Sequence, residues 1–485
     1  MRYISRRKAN ALFILLLIEV VNLFIGWNYV TEGGTYTSDN IRLIAAITVF
    51  EIIITFVIWK KIVNEFCCPF FIVYVVSVVF GIGQCFCWTF GLDMGSMDLL
   101  EYLPKIPIHY IGNGLIYSQN AIIIFFLGAL FAYSENESKK VMCEDTEANN
   151  CDYLAMETVS TLLLIISIPC VMLNFKNVLT AVVAGGYSGL YTELNSYSKA
   201  GQFIPLLAGW FPVALLMKYA LYAKHDKVKS SISVAFLFIY IAINLFAGGR
   251  SGAVMLVLAF VLAKYYYGTP FTKKELVMVF LGGYIFLGIL NAIADTRLMS
   301  NRNFFSFFSS FSLSSVLGDF IGEMGWSMSS TSWTMQLIDN GSYFRCGESY
   351  LYALTAIIPN LGFWKVHPAK IANLGDWLQS SLGRSTGLGY TFIAETYANF
   401  SWFGLILMLI LGIGASRLLS KIPREYAVYN YRKSFLMVMI IATILKSFVR
   451  SSFSASMRPL VFTILLIYLM IHFISSFYSN RRRDN

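Results

Sequence analysis

Apolar runs of roughly 18 to 22 residues, each long enough to span a bilayer as a helix, recur along the chain between short polar stretches. They lie near 11–30, 41–59, 70–90, 115–133, 154–173, 202–222, 231–247, 252–267, 276–294, 391–416, 434–449 and 459–477. At about 1.5 Å of rise per residue, such a run crosses a hydrocarbon core of about 30 Å. Lipid offers the backbone no hydrogen-bond partner, so these runs must be helical. The pattern predicts an all-α polytopic membrane protein of about 12 transmembrane helices, folded as a single integral membrane domain over 1–485. The first run follows Arg2, Arg6, Arg7 and Lys8 but is too long for a signal peptide and lacks a small-residue cleavage site, so it counts as the first membrane helix.

One stretch breaks the rhythm. Residues 295–390 contain no convincing span and form one large loop, which at that length is usually functional. Its first part sets Phe304, Phe307, Phe308, Phe311, Leu317, Phe320, Ile321 and Met324 at three- and four-residue steps, with Asp319 and Glu323 between them. That spacing predicts an amphipathic helix lying on the membrane surface. A second segment, Asn174 to Gly201, carries Gly185-Gly186-Tyr187-Ser188-Gly189 and reads as a re-entrant or surface element.

Composition agrees with the pattern: 57% of residues are hydrophobic and only 13% charged, against about 45 to 50% apolar in soluble domains. The net charge of +10 is sorted by loop and not gathered in a basic domain, which argues for topology and against nucleic acid. Lys60-Lys61, Lys139-Lys140, Lys273-Lys274 and Arg481-Arg482-Arg483 alternate onto the side of the N-terminus, so both termini are expected in the cytoplasm and the 295–390 loop outside. The eight cysteines show no metal-ligand spacing and read as apolar thiols, although Cys346 in the outer loop leaves a bond to Cys85 or Cys87 open.

The charges left on the outer side call for a reason. Arg250 follows Gly248-Gly249 and precedes Ser251-Gly252, so a tight turn can open a helix whose free amides join the guanidinium in an anion site. Arg384 lies in the glycine-spaced stretch Gly383-Arg384-Ser385-Thr386-Gly387-Leu388-Gly389. Arg450 and Arg458 bracket the serine-rich hairpin Ser451-Ser452-Phe453-Ser454-Ala455-Ser456. A planar, permanently charged fork suits phosphate, so these arginines are expected to bind a lipid pyrophosphate; headgroup anchoring is the plainer alternative for Arg250. His367 in the outer loop and Glu395, inside an apolar helix, are the candidate proton acceptors; a structural hydrogen bond is the plainer reading for His367, and Glu395 could also neutralise an arginine or bind sugar hydroxyls. Glu323 is a further substrate-binding candidate, with a solvated polar face as the bland reading. No Walker loop, dinucleotide fingerprint, DxD pair or HExxH helix stands out, so no metal or cofactor is expected.

Gly249-Arg250-Ser251-Gly252 opening a helix, Ser385-Thr386-Gly387-Leu388-Gly389-Tyr390-Thr391 running into Ala394-Glu395-Thr396-Tyr397-Ala398-Asn399-Phe400, and the Arg450 to Pro459 hairpin together resemble the Wzy-type O-antigen and capsule repeat-unit polymerases. The resemblance implies a GT-C-like glycosyltransferase of the bacterial cytoplasmic membrane. Such an enzyme passes a growing glycan from undecaprenyl pyrophosphate to the next lipid-linked repeat unit, without metal or nucleotide. It implies polyprenyl-pyrophosphate-linked donor and acceptor glycans and membrane lipid as partners, and leaves room for a chain-length regulator. Family arginines map onto Arg250, Arg384, Arg450 and Arg458, and the loop histidine of the related O-antigen ligases is similar to His367 only in general location. An O-antigen ligase using the same donor and a lipid-linked oligosaccharide flippase are the competing readings. A flippase predicts two related halves and mid-membrane charge, and no internal repeat is visible.

Overall fold

A computed structural model of the chain describes residues 5–31, 36–101, 106–134, 146–192, 203–246, 250–269, 271–296, 316–358, 364–384, 388–419 and 421–483. Among them there are helices and no strand. The chain divides into two compact units, each assembled from separated segments. The first unit begins with α1 (Arg6–Thr31), α2 (Ser38–Val63), α3 (Pro69–Phe90) and α4 (Ile108–Ala132). The second contains α5 (Thr146–Thr192), α6 (Phe203–Ala208), α7 (Trp210–Tyr222), α8 (Lys227–Phe246), α9 (Arg250–Tyr267) and α10 (Lys273–Thr296). The chain then returns to the first unit with α11 (Val316–Gly325), α12 (Ser329–Asp339), α13 (Glu348–Ala353), α14 (Pro368–Ile371), α15 (Leu374–Ser381), α16 (Phe392–Phe400) and α17 (Gly404–Leu418). It ends with α18 (Arg424–Ala427), α19 (Tyr431–Thr443), α20 (Leu445–Arg450), α21 (Ser454–Arg458) and α22 (Leu466–Arg483); the hairpin over 447–457 belongs to the first unit.

Nine helical segments among the described residues are long and apolar enough to cross a membrane, and the protein is an all-α polytopic membrane protein. The expected runs at 252–267, 276–294 and 434–449 are helical but fall outside those nine. The last of them is broken near Ile444, between α19 and α20. The outer segment expected from Asn174 continues α5 as helix to Thr192, past an internal Pro169, and residues 193–202 lie outside the described ones. Of the expected amphipathic helix, α11 is described from Val316 to Gly325, and the Phe304 to Phe311 part lies outside.

Helix ends follow local chemistry. Thr37 caps α2 by accepting from the Asn40 amide, Asp39 sits in its first turn, and Lys60 and Lys61 close the last, each sign favourable to the helix dipole. In the first unit α4 and α17 press backbone to backbone: a Cβ on Gly412 would lie 2.0 Å from the Phe125 carbonyl oxygen, and one on Gly128 2.3 Å from that of Leu409. Only glycine permits that approach. In the second unit Arg432 grips Asp152 through Nε (3.1 Å) and Nη2 (2.5 Å), and Ser475 donates to the same carboxylate. Thr272 and Glu275 cap α10 reciprocally, and Glu275 also pairs with Lys264 of α9 at 2.8 Å.

The seven described cysteines are free; Cys85 and Cys87 are buried and Cys346 is exposed. Between α2 and α3, burial pushes the thiols of Cys67 and Cys68 up to about 11 and about 12, so both stay protonated and unreactive near neutral pH.

Candidate functional site

The polar residues of α16 supply the centre. Thr391 starts the helix, its hydroxyl accepting from the Ala394 amide, and every residue from Phe392 to Asn399 is buried. Three polar side chains therefore enter an apolar helix, and each must find a partner. Glu395, 1% exposed, accepts from the Ser349 hydroxyl at 2.8 Å and from the Phe453 amide at 2.6 Å. Thr396 shares a hydrogen bond with the Tyr117 hydroxyl of α4 at 3.0 Å. Asn399, one turn beyond Glu395, donates to Ser349 at 2.8 Å and accepts from the Gly347 amide at 3.0 Å. One helix face thus ties three elements together: the serine-rich hairpin, α4 and the loop leading into α13.

That loop is fastened to the far end of α16. The amides of Arg345 and Cys346 donate to the carbonyls of Ala398 and Asn399 at 2.9 and 3.0 Å, satisfying groups that a helix C-terminus leaves open. The turn needs positive φ at Cys346 (48°) and at Gly347 (90°). The Arg345 guanidinium stacks over the rings of Tyr343 (4.7 Å) and Trp377 (5.4 Å) and pairs with Glu348 at 3.4 Å. In α13 the Tyr350 phenol is pushed well above its ordinary range, first by burial and then by the Glu395 carboxyl beside it.

Arg450 ends α20 against the chain that enters α16. Its carbonyl accepts from the Tyr390 amide at 3.3 Å, and its side chain passes Gly389 so closely that a Cβ there would sit 3.5 Å from Cγ and 3.7 Å from Nε. Gly389 has φ +76°, so glycine is favoured there by conformation, while a Cβ would make only ordinary contact with Arg450. The hairpin after Arg450 is held by Glu395 at Phe453, by Ser452 and Ser454 to each other at 3.0 Å, and by Ser456 to Ser447 at 3.0 Å. Beneath it, Ala353, Ala356, Ala372 and Met457 pack as a small core under Phe453 and Tyr352.

Arg384 ends α15 in a Schellman motif: Gly383, at φ +63°, donates to the Ser380 carbonyl and Arg384 to that of Gln379. The half-buried guanidinium thus leaves a helix C-terminus whose dipole favours it. His367 caps α14. Its Nδ1 accepts from the Ala369 amide at 3.1 Å, which leaves Nε2 to donate to the Ile358 carbonyl at 2.9 Å. Both nitrogens are engaged in holding the turn, with Trp364 edge-on at 4.9 Å. Glu323 is half-buried in α11, close to the point where Gly83 of α3 and Gly325 meet backbone to backbone.

Arg250, 5% exposed, and the half-buried Ser251 open α9 in the second unit, and the preceding residues 247–249 lie outside the described ones. Arg458 also belongs to the second unit, where it precedes the π-helix Pro459–Leu465 whose Phe462 carbonyl accepts from Trp210 at 3.1 Å. Among the described residues no three His, Cys, Asp or Glu side chains gather as a metal site.

The first unit therefore brings Glu395, Arg450 and the serine hairpin into one bonded assembly. Ser349, Asn399, Arg345 and the Phe453 amide, central to it, carry no role in the sequence reading. One signal was present: Asn399 follows Glu395 by four residues and so shares its helix face. Compared with known proteins, residues 11–482 match the family model for the O-antigen polysaccharide polymerase Wzy. No curated protein and no solved structure matches the chain.

Proposed function

We propose that this chain, which belongs to the O-antigen polysaccharide polymerase Wzy family, lengthens a glycan held on undecaprenyl pyrophosphate by transferring it to the next lipid-linked repeat unit at the outer face of the cytoplasmic membrane. In this reaction the bond from the anomeric carbon to the pyrophosphate oxygen breaks, the acceptor hydroxyl takes its place, and the hydroxyl proton passes to solvent. Positive charge builds on the sugar and negative charge on the departing diphosphate. A guanidinium at that oxygen stabilises charge where it develops, and one preorganised donor in such sites contributes about 3 kcal/mol. Chemistry of this kind asks for no metal.

The observation that carries the reading is the fastening of the Arg450 hairpin to a buried carboxylate. Glu395 at the Phe453 amide and Tyr390 at the Arg450 carbonyl fix both sides of the turn that presents the guanidinium. We assign the leaving-group role to Arg450, with Arg384 from the end of α15. Arg250 with Ser251, and Arg458, are assigned phosphate contacts on their own chemistry. Glu395, enclosed and doubly bonded, is assigned a positioning role and not that of a base. His367 is assigned a structural cap for the same reason, since its nitrogens already hold a turn. Glu323 is proposed as a contact to sugar hydroxyls.

Purified protein incubated with a single lipid-linked repeat unit, with products sized on a gel, tests the proposal. A ladder of lengthened lipid-linked glycan is expected. Transfer to a different acceptor without lengthening, or movement across the bilayer without any new glycosidic bond, would overturn it.

A further inference from the structure

In the first unit a cavity of about 720 Å³ opens between α1, α4 and α17, within the 300–1,000 Å³ range of ligand sites. Apart from Ser401, its walls are leucine, isoleucine and aromatic side chains, among them Leu23, Trp27, Trp402 and Phe403. A single carboxyl, Glu19, joins them. Glu19 is 4% exposed, and neither of its oxygens has a hydrogen-bond partner. On α2, Glu51 differs: it accepts from Asn22 at 3.1 Å and from Gln119 at 2.6 Å. An ionisable group within a membrane-spanning helix is rare and costly, and an orphaned one asks for a ligand.

We propose that this groove takes the polyprenyl chain of the lipid-linked glycan, and that the acid O–H of Glu19 makes a weak hydrogen bond to a double bond of that chain. The inference rests on the polymerase reading for the identity of the lipid. Leu16, Glu19, Leu23 and Trp27 line the groove along twelve residues of α1, eleven steps that span about 16 Å at 1.5 Å per residue, which suits a flexible hydrocarbon. Phe403 is 77% exposed, so the groove borders lipid and a chain can enter sideways. A carboxyl enclosed by hydrocarbon is kept as the neutral acid, because an isolated charge there is prohibitive. Its O–H then needs an acceptor. Saturated acyl chains have none, whereas each isoprene unit carries a π bond able to take a weak hydrogen bond. The groove also leads to the candidate site. Trp402 packs edge-on against Tyr117 at 5.4 Å, and Tyr117 bonds Thr396, the neighbour of Glu395.

The first readout of the test needs no turnover. Protein in detergent is treated with dicyclohexylcarbodiimide, an apolar reagent for un-ionised carboxyls, and labelling at Glu19 is read by peptide mass spectrometry. Label at Glu19 is expected, absent in Glu19→Gln. Undecaprenyl phosphate at about ten times its Kd should slow it about tenfold, while a saturated phospholipid leaves it unchanged. In Leu23→Trp, which fills the groove, undecaprenyl phosphate should lose its hold and the KM for the lipid-linked unit should rise. No label at Glu19, equal protection by phospholipid, or no protection in protein that polymerises would overturn the groove assignment. Protection in protein that fails to polymerise would uphold the groove and refute the polymerase reading instead.

Discussion

Replacing Glu395 separates a clamp from a base. Glu395→Gln keeps the shape of the side chain, and its carbonyl oxygen can still accept from the Phe453 amide. Its amide nitrogen can donate to Ser349, whose hydroxyl already accepts from Asn399 and has a second lone pair to offer. The loss is then the difference between charged and neutral hydrogen bonds, about 1 kcal/mol for each of two. Part of that is offset by no longer enclosing a carboxylate. Activity should fall by no more than about tenfold, since 1.4 kcal/mol is one decade in rate. Glu395→Ala differs in kind. It leaves the Phe453 N–H and the Ser349 O–H buried without acceptors, at about 1 to 3 kcal/mol each, and frees the turn that carries Arg450. About 3 kcal/mol of lost tethering corresponds to roughly a hundredfold in rate. The assay is the initial rate of ladder formation from a lipid-linked repeat unit, with folded protein quantified by size exclusion. A general base, by contrast, contributes typically about 10² to 10⁴. If Glu395→Gln is as inactive as Glu395→Ala while remaining folded, the clamp is refuted and the base reinstated.

Arg450→Lys and Arg250→Lys keep charge but lose the planar fork; a large loss of activity at normal membrane levels is expected, and wild-type polymer length on a gel would defeat the assignment. Gly389→Ala forces a side chain into φ +76° against Arg450, at a cost of about 1 to 3 kcal/mol, which should lower the melting temperature and the polymerisation rate together. Gly412→Leu would drive its side chain into the Phe125 carbonyl, and the protein should fail to accumulate in membranes on immunoblots. Glu275 is held at about 2 by its hydrogen bond to Lys264 and by the Thr272 cap, below the ordinary carboxylate range. Its contribution is complete above that range and is lost as pH falls toward about 2. Glu275→Gln should therefore melt earlier than wild type at pH 7 in detergent, and the gap should close on acidification.

Hydropathy located most helices because burial in lipid writes itself along the chain. The run read at 41–59 is Ser38–Val63 and that at 70–90 is Pro69–Phe90. It missed α12, whose Ser329, Ser330, Thr331, Ser332 and Thr334 look like solvated loop yet are buried. There two hydroxyls return hydrogen bonds to nearby backbone, Thr334 to the Ser330 carbonyl at 2.6 Å and Ser330 to that of Ser327 at 2.8 Å, while those of Thr331 and Ser332 are buried without a partner among the described residues. In the candidate site, Glu395 and Arg450 stood out because charge beside apolar runs is expensive. Their partners did not. Ser349 and the Phe453 amide lie 46 and 58 residues from Glu395, and no periodicity links positions joined only by tertiary folding. His367 stood out by rarity, but rarity carries no information on which lone pairs a fold has already used.

The glycine seam between α4 and α17 also limits how a product that grows with every cycle can leave. With carbonyls seated against bare α-carbons, neither helix can slide or roll without first parting from the other. That wall therefore behaves as a fixed post, and any opening that releases the product has to be made by helices other than this pair.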